Sequence, residues 1–275
     1  MIMENSEAIQ IAKNISAHDK IHNKYEKLHK KDIFNPTEQE RLHNMLKKAV
    51  ESIKTNSGLI RALDYGCGSG NLTNHLIELG LYTVAADVSK KFLNIVKNKW
   101  SHTGLLSTLE IDGKSLSNIE TNYFDLVATY SVLHHVPDYL GIIKEMVRVL
   151  KPDGIIYIDY ERNYSYWNKS KEYLEFLKLV ELRTPKKWKK YLRPSNYLTK
   201  LRLIMNPRYR PQGDIHTFPD DHIEWDKIET LLKTYGCETV LREDYLHYRV
   251  EYPMDLYERY KNKCNDMRLL IYRKK

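Results

Sequence analysis

The chain of 275 residues is poor in cysteine and lacks long apolar runs. Its three cysteines, Cys67, Cys237 and Cys264, lie far apart, and no two of them form a C-x-x-C pair. This spacing argues against a disulfide framework and predicts a reducing compartment, the cytoplasm. No apolar segment approaches membrane-spanning length, and the first residues, MIMENSEAIQ, lack the basic and apolar parts of a targeting signal.

The composition is that of a globular protein, with 42% hydrophobic and 29% charged residues. The net charge of +8 suggests a polyanionic partner such as RNA, because lysine and arginine neutralise phosphates. Most of the basic residues are nevertheless scattered among acidic ones. Only residues 186–193, KKWKKYLR, form a dense basic and aromatic run, which favours a solvated helix face or a site for a small anion. Nucleic acid is therefore not the expected partner.

The segment DYGCGSG is a glycine-rich turn between a short apolar run and a helix-like segment. Gly66, Gly68 and Gly70 have no Cβ atoms, so the backbone can approach a ligand closely. A dinucleotide-binding fingerprint would need its third glycine at Asn71, and the Lys-Ser/Thr ending of a P-loop is absent. Asp64 precedes the turn, and its carboxylate would repel a pyrophosphate but suit an ammonium or sulfonium group.

A second acidic residue, Asp87, ends the apolar segment YTVAAD. A carboxylate at the end of a second strand can accept both hydroxyls of a ribose. The segments LDYGCGSG, AADVS, FDLVATYSVLHHV and VLKPDGIIYID, in this order, resemble the class I S-adenosylmethionine (SAM)-dependent methyltransferases. The resemblance covers roughly residues 59–160 and a C-terminal strand pair, and the ordered set is more specific than any single motif.

This resemblance implies an α/β fold built on a doubly wound, seven-stranded, mostly parallel sheet with an antiparallel last strand. The expected parts are an N-terminal helical cap (1–57), a SAM-binding Rossmann-like core (58–160), an acceptor-side insertion or lid (161–217) and the completion of the core sheet (218–275). The insertion is rich in tyrosine. An acceptor lid, the core of a helical subdomain and a surface for homo-oligomers are all compatible with that composition.

Local signals predict where several elements begin. Asn35 is expected to be the N-cap of a helix, with Pro36 at its first position and Glu38 reaching back in a capping box. Residues 151–154, KPDG, are expected to form a turn in which Gly154 takes a positive φ.

By the resemblance, the cofactor is SAM, and its product is S-adenosylhomocysteine. Its expected contacts lie where strands end, which is where doubly wound sheets bind ligands. Asp87 is expected to bind the ribose, the acidic loop residue Asp112 and the amide of Gly113 the adenine, and Tyr130 and Ser131 the methionine end. The full predicted set is Asp64, Gly66, Gly68, Gly70, Asp87, Val88, Asp112, Gly113, Tyr130 and Ser131.

Methyl transfer to a hydroxyl or an amine needs a base, which is most often a histidine. The candidates are His135, which follows the fourth predicted strand, and His216 and His222 in the segment DIHTFPDDHIEW. The predicted acceptor-side residues are Tyr25, His29, His134 and Tyr160. In the same acidic segment, Asp220 or Asp221 is expected to cap the next helix. A divalent metal held by histidine and aspartate there ranks last, because the spacing matches no strong metal signature.

The sequence therefore favours methyl transfer to oxygen or nitrogen of a small polar metabolite, including an anionic, phosphorylated or sugar-linked one. An RNA methyltransferase is the first alternative, but the fourth predicted strand ends in YSVL and not in an N-P-P-Y-type catalytic loop. A SAM-binding scaffold without catalytic activity is the second.

Overall fold

The computed structural model describes residues 11–12, 16, 25–54, 58–184 and 223–275. Within these ranges seven strands form one sheet in the order β3-β2-β1-β4-β5-β7-β6. The strands are β1 (Arg61–Tyr65), β2 (Tyr82–Asp87), β3 (Leu106–Glu110), β4 (Phe124–Tyr130), β5 (Leu150–Arg162), β6 (Cys237–Tyr245) and β7 (Met267–Lys274). Only β7 is antiparallel to its neighbours, β5 and β6. The predicted sheet, including its antiparallel last strand, is confirmed.

Helices flank the sheet. They are α1 (Tyr25–Leu28), α2 (Pro36–Glu51), α3 (Asn71–Glu78), α4 (Lys90–Trp100), α5 (Tyr139–Val149), α6 (Tyr164–Trp167), α7 (Lys171–Arg183), α8 (Trp225–Thr234) and α9 (Met254–Tyr260). Short 3₁₀ turns cover Ser101–Thr103 and Leu133–His135. No helix in the described ranges is both long and apolar enough to cross a bilayer.

Two buried clusters cover the two faces of the sheet. Successive side chains of a strand point to opposite faces, so Ala62 and Leu63 of β1 belong to different clusters. The cluster of Ala62 also contains the apolar side chains of α2 and α3. The cluster of Leu63 contains those of α5 and α8. This two-sided cover is the doubly wound arrangement, and it leaves the carboxyl ends of β1, β2 and β4 together at one edge.

The beginning of α2 is partly as predicted. Asn35 is the N-cap, and its Oδ1 accepts a hydrogen bond from the Glu38 amide at 3.0 Å. The Glu38 carboxylate does not reach back to the cap, so the predicted capping box is wrong. It is buried and accepts hydrogen bonds from Arg41, the Tyr130 hydroxyl and His247. A glutamate enclosed by three donors is held there more strongly than at an exposed helix end.

The predicted turn at residues 151–154 is an irregular part of β5, because Leu150 pairs with Phe124 and the next pair is Ile155 with Leu126, but its positive φ was predicted at the wrong residue. These residues belong to β5, and the positive φ of 61° falls on Asp153 and not on Gly154. Gly154 is needed for packing, because a Cβ atom there would lie 2.8 Å from Cδ1 of Leu150.

Two predictions concern the region after β5. Part of the tyrosine-rich insertion is a helical core, since Tyr173 and Phe176 of α7 are buried against Tyr252 and Tyr260. At the start of α8 the N-cap position is taken by Glu224, and Asp220 and Asp221, which were predicted to cap this helix, lie outside the described residues. The basic run at 186–193 and the candidate bases His216 and His222 lie outside the described residues.

Candidate functional site

A cleft opens at the carboxyl ends of β1, β2 and β4. Eight of the ten residues predicted for the cofactor line it, namely Asp64, Gly66, Gly68, Asp87, Val88, Gly113, Tyr130 and Ser131. Most of its remaining wall is apolar and includes Phe92 and Ile111. An apolar cleft with a few polar groups, placed where parallel strands end, is typical of a small-molecule site.

The three glycines of the turn have different roles. All three have a positive φ, which is 75° at Gly66, 50° at Gly68 and 92° at Gly70. A Cβ atom on Gly66 would lie 2.6 Å from the Val132 side chain, and one on Gly70 would lie 2.3 Å from the Trp100 ring. A Cβ atom on Gly68 would meet nothing within 4 Å. Gly66 and Gly70 are therefore required by packing, whereas Gly68 leaves open space in the cleft. Gly70 does not line the cleft, contrary to its predicted contact with the cofactor.

Asp64, the last residue but one of β1, is buried beside the turn. The Thr73 hydroxyl donates a hydrogen bond of 2.5 Å to its Oδ2 atom. Burial raises the pKa of Asp64 to about 7, although the Thr73 hydrogen bond acts in the opposite direction, and the charge of Asp87 adds to the rise. A positively charged group in the cleft would favour the ionised form of this carboxyl.

Asp87 lies at the end of β2, as predicted. Its Oδ2 accepts a hydrogen bond from the Gly68 amide at 2.9 Å, and its Oδ1 accepts one from the Ser89 amide at 2.8 Å. These two amides fix the direction of the carboxylate. A carboxylate oxygen has two lone pairs, and hydroxyl groups are among the donors that such a group accepts.

Two polar residues of the cleft were missed by the sequence reasoning. The Oγ atom of Ser69 and the Nδ2 atom of Asn71 are buried and have no hydrogen-bond partner among the described residues. Gln39 donates from Nε2 to Oδ1 of Asn71 at 2.9 Å, which fixes the orientation of the Asn71 amide. Buried donors without partners cost free energy, so they fit a ligand with polar groups. In the sequence, the position of these two residues within and directly after the glycine turn could have indicated that they line the cleft.

The structure separates the two residues predicted for the adenine. Gly113 lines the cleft, but Asp112 is exposed and outside its lining. The Asp112 Oδ1 accepts hydrogen bonds from the amides of Lys114 and Ser115 at 2.7 and 2.8 Å. An aspartate that closes its own turn in this way is a common local motif, and it accounts for the carboxylate without a ligand.

A second, polar cleft adjoins the first. All four residues predicted for the acceptor side line it, namely Tyr25, His29, His134 and Tyr160. The two clefts share several wall residues, among them Tyr25, Ser131 and His135. The predicted base His135 therefore stands at their junction. The charged residues Asp32, Glu161, Arg162 and Arg249 of this cleft were not predicted, because the fold brings them together from separate segments.

Glu161 and His134 form a pair in the wall of the polar cleft. The Glu161 carboxylate is 1% exposed and accepts hydrogen bonds from the amides of Val132 and Leu133 at 2.8 and 2.7 Å. Its other oxygen lies 2.7 Å from Nδ1 of His134. A carboxylate can only accept, so Nδ1 carries the proton and the lone pair of a neutral His134 is on Nε2. This pairing makes His134 the better oriented base, whereas the sequence favoured His135.

The backbone is strained where the two clefts meet. Ser131 directly follows β4 and has a φ of 60°. Tyr160 lies near the end of β5 and has a φ of 61°. Such values cost about 1–3 kcal/mol for residues other than glycine and persist where the surrounding structure enforces them. The Tyr160 ring stacks on Tyr130 with a centroid distance of 4.7 Å. The strain thus places an aromatic ring in the wall of the polar cleft.

Tyr160 is also the outer member of a buried relay. Its hydroxyl lies 2.9 Å from Nε2 of His247, and Nδ1 of His247 lies 3.2 Å from the Glu38 carboxylate. Burial opposes the charge of Glu38, but the guanidinium of Arg41 and the hydrogen bond from His247 hold its pKa at about 2. Burial raises the pKa of Tyr160 well above its ordinary value. The tyrosine is therefore a hydrogen-bond donor and not a base.

The sheet order, the glycine turn and the carboxylate at the end of β2 define a class of protein, the class I SAM-dependent methyltransferases. Residues 63–158 match the family model of the Methyltransf_11 methyltransferase domain. The matched segment is therefore a methyltransferase domain of this class, whose cofactor is SAM. The buried acid and the two donors that lack a partner among the described residues fit that molecule, which carries an ammonium group, a carboxylate and two ribose hydroxyls.

Curated relatives are similar to about half of the chain. The chain is 31% identical over 147 residues to a ubiquinone biosynthesis O-methyltransferase of Colwellia psychrerythraea, covering 51% of this chain and 56% of the relative. It is 31% identical over 144 residues to a demethylmenaquinone methyltransferase of Bacillus cereus, covering 50% and 61%. The chain thus spans about half the length of the curated relatives it matches.

Solved structures extend the likeness of the fold. A chain from the complex between the Haloferax volcanii Trm112 methyltransferase activator and a methyltransferase superposes with a TM-score of 0.60 at 13% identity. The superposition covers 95% of this chain and 97% of the other. At this identity the likeness concerns the fold alone.

Proposed function

We propose that the protein transfers the methyl group of SAM to a hydroxyl oxygen of a small molecule. The observation that carries this proposal is the junction of two clefts, an apolar one that fits the cofactor and a polar one with an oriented histidine in its wall. Placing two reactants in line can contribute about 7–11 kcal/mol to a transfer reaction. The protein then needs little covalent chemistry of its own.

In the apolar cleft, Asp64 attracts the ammonium group of the cofactor, and Asp87 accepts hydrogen bonds from its ribose. Ser69 and Asn71 donate to its remaining polar atoms. The Gly113 backbone and the apolar wall of Phe92 leave room for its adenine. When bound, SAM supplies an electrophilic methyl group on a sulfonium.

In the polar cleft, Nε2 of His134 accepts the proton of the acceptor hydroxyl. Glu161 holds the ring in the required tautomer and stabilises the imidazolium that forms, because its carboxylate remains 2.7 Å from Nδ1. Tyr160 supplies a ring face to the acceptor, because its hydroxyl donates to Nε2 of His247. His135, at the junction, excludes water from the line of transfer.

The lining of the polar cleft favours an aromatic acceptor with an acidic substituent. Tyr25 and Tyr166 offer ring faces, and the guanidinium of Arg162 lies 4.3 Å from the centre of the Tyr166 ring. Arg249 adds a second positive charge. Arginine binds carboxylates and phosphates well because its donors form a fork. One curated relative is named as an O-methyltransferase of ubiquinone biosynthesis, which agrees with a hydroxyl as the methylated group.

The proposal is tested by incubating the full chain with SAM and a panel of phenols, with and without acidic substituents, and measuring both S-adenosylhomocysteine release and product mass. Glu161→Gln removes the carboxylate that orients the base His134, and it should lower turnover at saturating SAM by up to roughly 10²–10⁴-fold, which is the usual contribution of a positioned base. The dissociation constant for S-adenosylhomocysteine should not change. His102→Ala, at an exposed histidine in the Ser101–Thr103 turn, is the matched control.

Two results would contradict the proposal. Absence of S-adenosylhomocysteine binding would reject the cofactor, and unchanged turnover in Glu161→Gln would reject the base. Binding without turnover on any acceptor would favour a SAM-binding scaffold.

A further inference from the structure

Helices α2 and α3 bring three potential metal ligands together outside both clefts. Nδ1 of His43 lies 3.3 Å from Nδ1 of His75. The Glu78 Oε2 atom lies 3.8 Å from the first of these nitrogens and 3.6 Å from the second. The three ligand atoms therefore form a compact triangle that joins the two helices.

The size of this triangle matches a tetrahedral ion. Zinc binds histidine nitrogen and carboxylate oxygen at about 2.0–2.2 Å, so two ligand atoms on a tetrahedron lie about 3.3–3.6 Å apart. The observed separations of 3.3, 3.6 and 3.8 Å lie in or close to this range. Two imidazoles and one carboxylate are a ligand set that suits zinc.

Neighbouring amides orient two of the three ligands. Gln39 donates from Nε2 to the carbonyl of Ile33, so its Oε1 is the atom that faces Nε2 of His75 at 3.0 Å. An amide oxygen only accepts, so Nε2 of His75 carries the proton and its Nδ1 lone pair points into the triangle. Asn74 donates to Oε1 of Glu78 at 2.9 Å, which leaves Oε2 for the ion. Metal-binding histidines and carboxylates are commonly fixed by such partners.

A hydrogen bond between the histidines explains these contacts less completely. A proton on Nδ1 of His43 could be donated to Nδ1 of His75, at a rather long 3.3 Å. That bond gives no reason for the Glu78 oxygen to approach both nitrogens, because it lies beyond hydrogen-bond distance of each. An ion equidistant from the three atoms accounts for the whole arrangement.

We propose that His43, His75 and Glu78 bind a zinc ion, with water as the fourth ligand. Glu78 is half-exposed, so solvent can reach the open position. The ion would clamp α2 against α3. Gln39 connects the site to the cofactor cleft, because it contacts both His75 and Asn71.

The test uses the full chain, freed of metal with a chelator and then dialysed. Zn²⁺ is titrated by calorimetry, and Co²⁺ is added separately because tetrahedral cobalt absorbs visible light strongly. We expect one ion per chain from this site. His43→Ala and Glu78→Gln should each weaken binding at least about tenfold, and Asn74→Ala about 10–100-fold. His102→Ala, which removes an exposed histidine elsewhere, should bind as the parent protein does.

Loss of metal binding in these variants can be distinguished from misfolding and from loss of catalytic activity. His43 and Glu78 are partly exposed, so the thermal midpoints of their metal-free variants should stay near that of the parent protein. Added Zn²⁺ should raise the midpoint of the parent protein but not that of His43→Ala. If His43→Ala does not fold, Glu78→Gln decides. Absence of saturable binding, or binding retained in both variants, would overturn the proposal.

Discussion

Lowering the pH is expected to weaken cofactor binding through Asp64. Burial raises the pKa of this carboxyl from 3.8 to about 7, so it is half protonated near neutrality when the cleft contains no cation. A cofactor that carries an ammonium group should bind only the ionised form. Each bound molecule must then displace a proton from Asp64 below pH 7, and the affinity falls accordingly.

The magnitude follows from the pKa. If only the ionised form binds, the apparent dissociation constant is multiplied by one plus the ratio of protonated to ionised carboxyl. For a pKa of about 7 that factor is roughly 11 at pH 6 and roughly 1.1 at pH 8. The affinity for S-adenosylhomocysteine should therefore drop about tenfold between pH 8 and pH 6.

The titration of Asp64 changes the stability of the ligand-free protein in the opposite direction, because lowering the pH stabilises it. Its pKa in the folded protein lies above the unfolded value, so its contribution to stability is full below about pH 4 and is lost as the pH rises through about 7. The loss amounts to roughly 4 kcal/mol, because every tenfold change in a protonation equilibrium corresponds to about 1.4 kcal/mol. Asp64→Asn should therefore stabilise the ligand-free protein above pH 7 while weakening cofactor binding.

Calorimetric titration with S-adenosylhomocysteine at several pH values, together with denaturant unfolding of the ligand-free protein, measures both effects. The asparagine variant keeps the side-chain shape and can still accept from Thr73, and its affinity should be almost independent of pH. A parent affinity that does not change between pH 6 and pH 8 would refute the role of Asp64. So would an asparagine variant that binds as tightly as the parent protein and is no more stable.

Two further predictions concern the same cleft. Asp87→Ala removes a carboxylate held by the Gly68 and Ser89 amides, and SAM affinity should fall more than tenfold while the circular dichroism spectrum is retained; unchanged affinity would reject the ribose contact. Gly68→Val should abolish binding in a folded protein, because its side chain fills open space in the cleft. Gly66→Val should mainly lower the melting temperature, because its side chain would collide with Val132. Equal effects of the two variants on binding and on stability would contradict this difference in roles.

Local signals were sufficient for the sheet and for much of the cofactor cleft. Strand ends and the glycine turn are short contiguous features, and the residues that follow them necessarily reach one edge of a parallel sheet. Asp87 could be placed at this edge without knowledge of any other strand. Asp112 lies outside the lining of the cleft, and an acidic residue in a loop can close its own turn as readily as it can bind a ligand.

The polar cleft was less predictable, because its functional pairs join distant segments. Glu161 becomes a partner of His134 only when β5 lies beside β4 and the amides after β4 point at its carboxylate. Glu38 was expected to reach back to the N-cap Asn35 in the first turn of a helix. Its burial depends on Tyr130 and His247, which no local pattern connects to it. Burial and partner identity are tertiary properties, and they decided the roles of these carboxylates.

The position of β7 constrains the order in which the molecule can assemble. β6 precedes β7 in the chain, yet β6 touches the sheet only through β7, which is inserted between it and β5. The first five strands can pair with one another as they leave the ribosome. β6 has no edge to join until β7 has been synthesised and has docked antiparallel to β5. Until that moment β5 presents an open edge, so the nascent chain passes through a stage in which it is prone to pair with other chains.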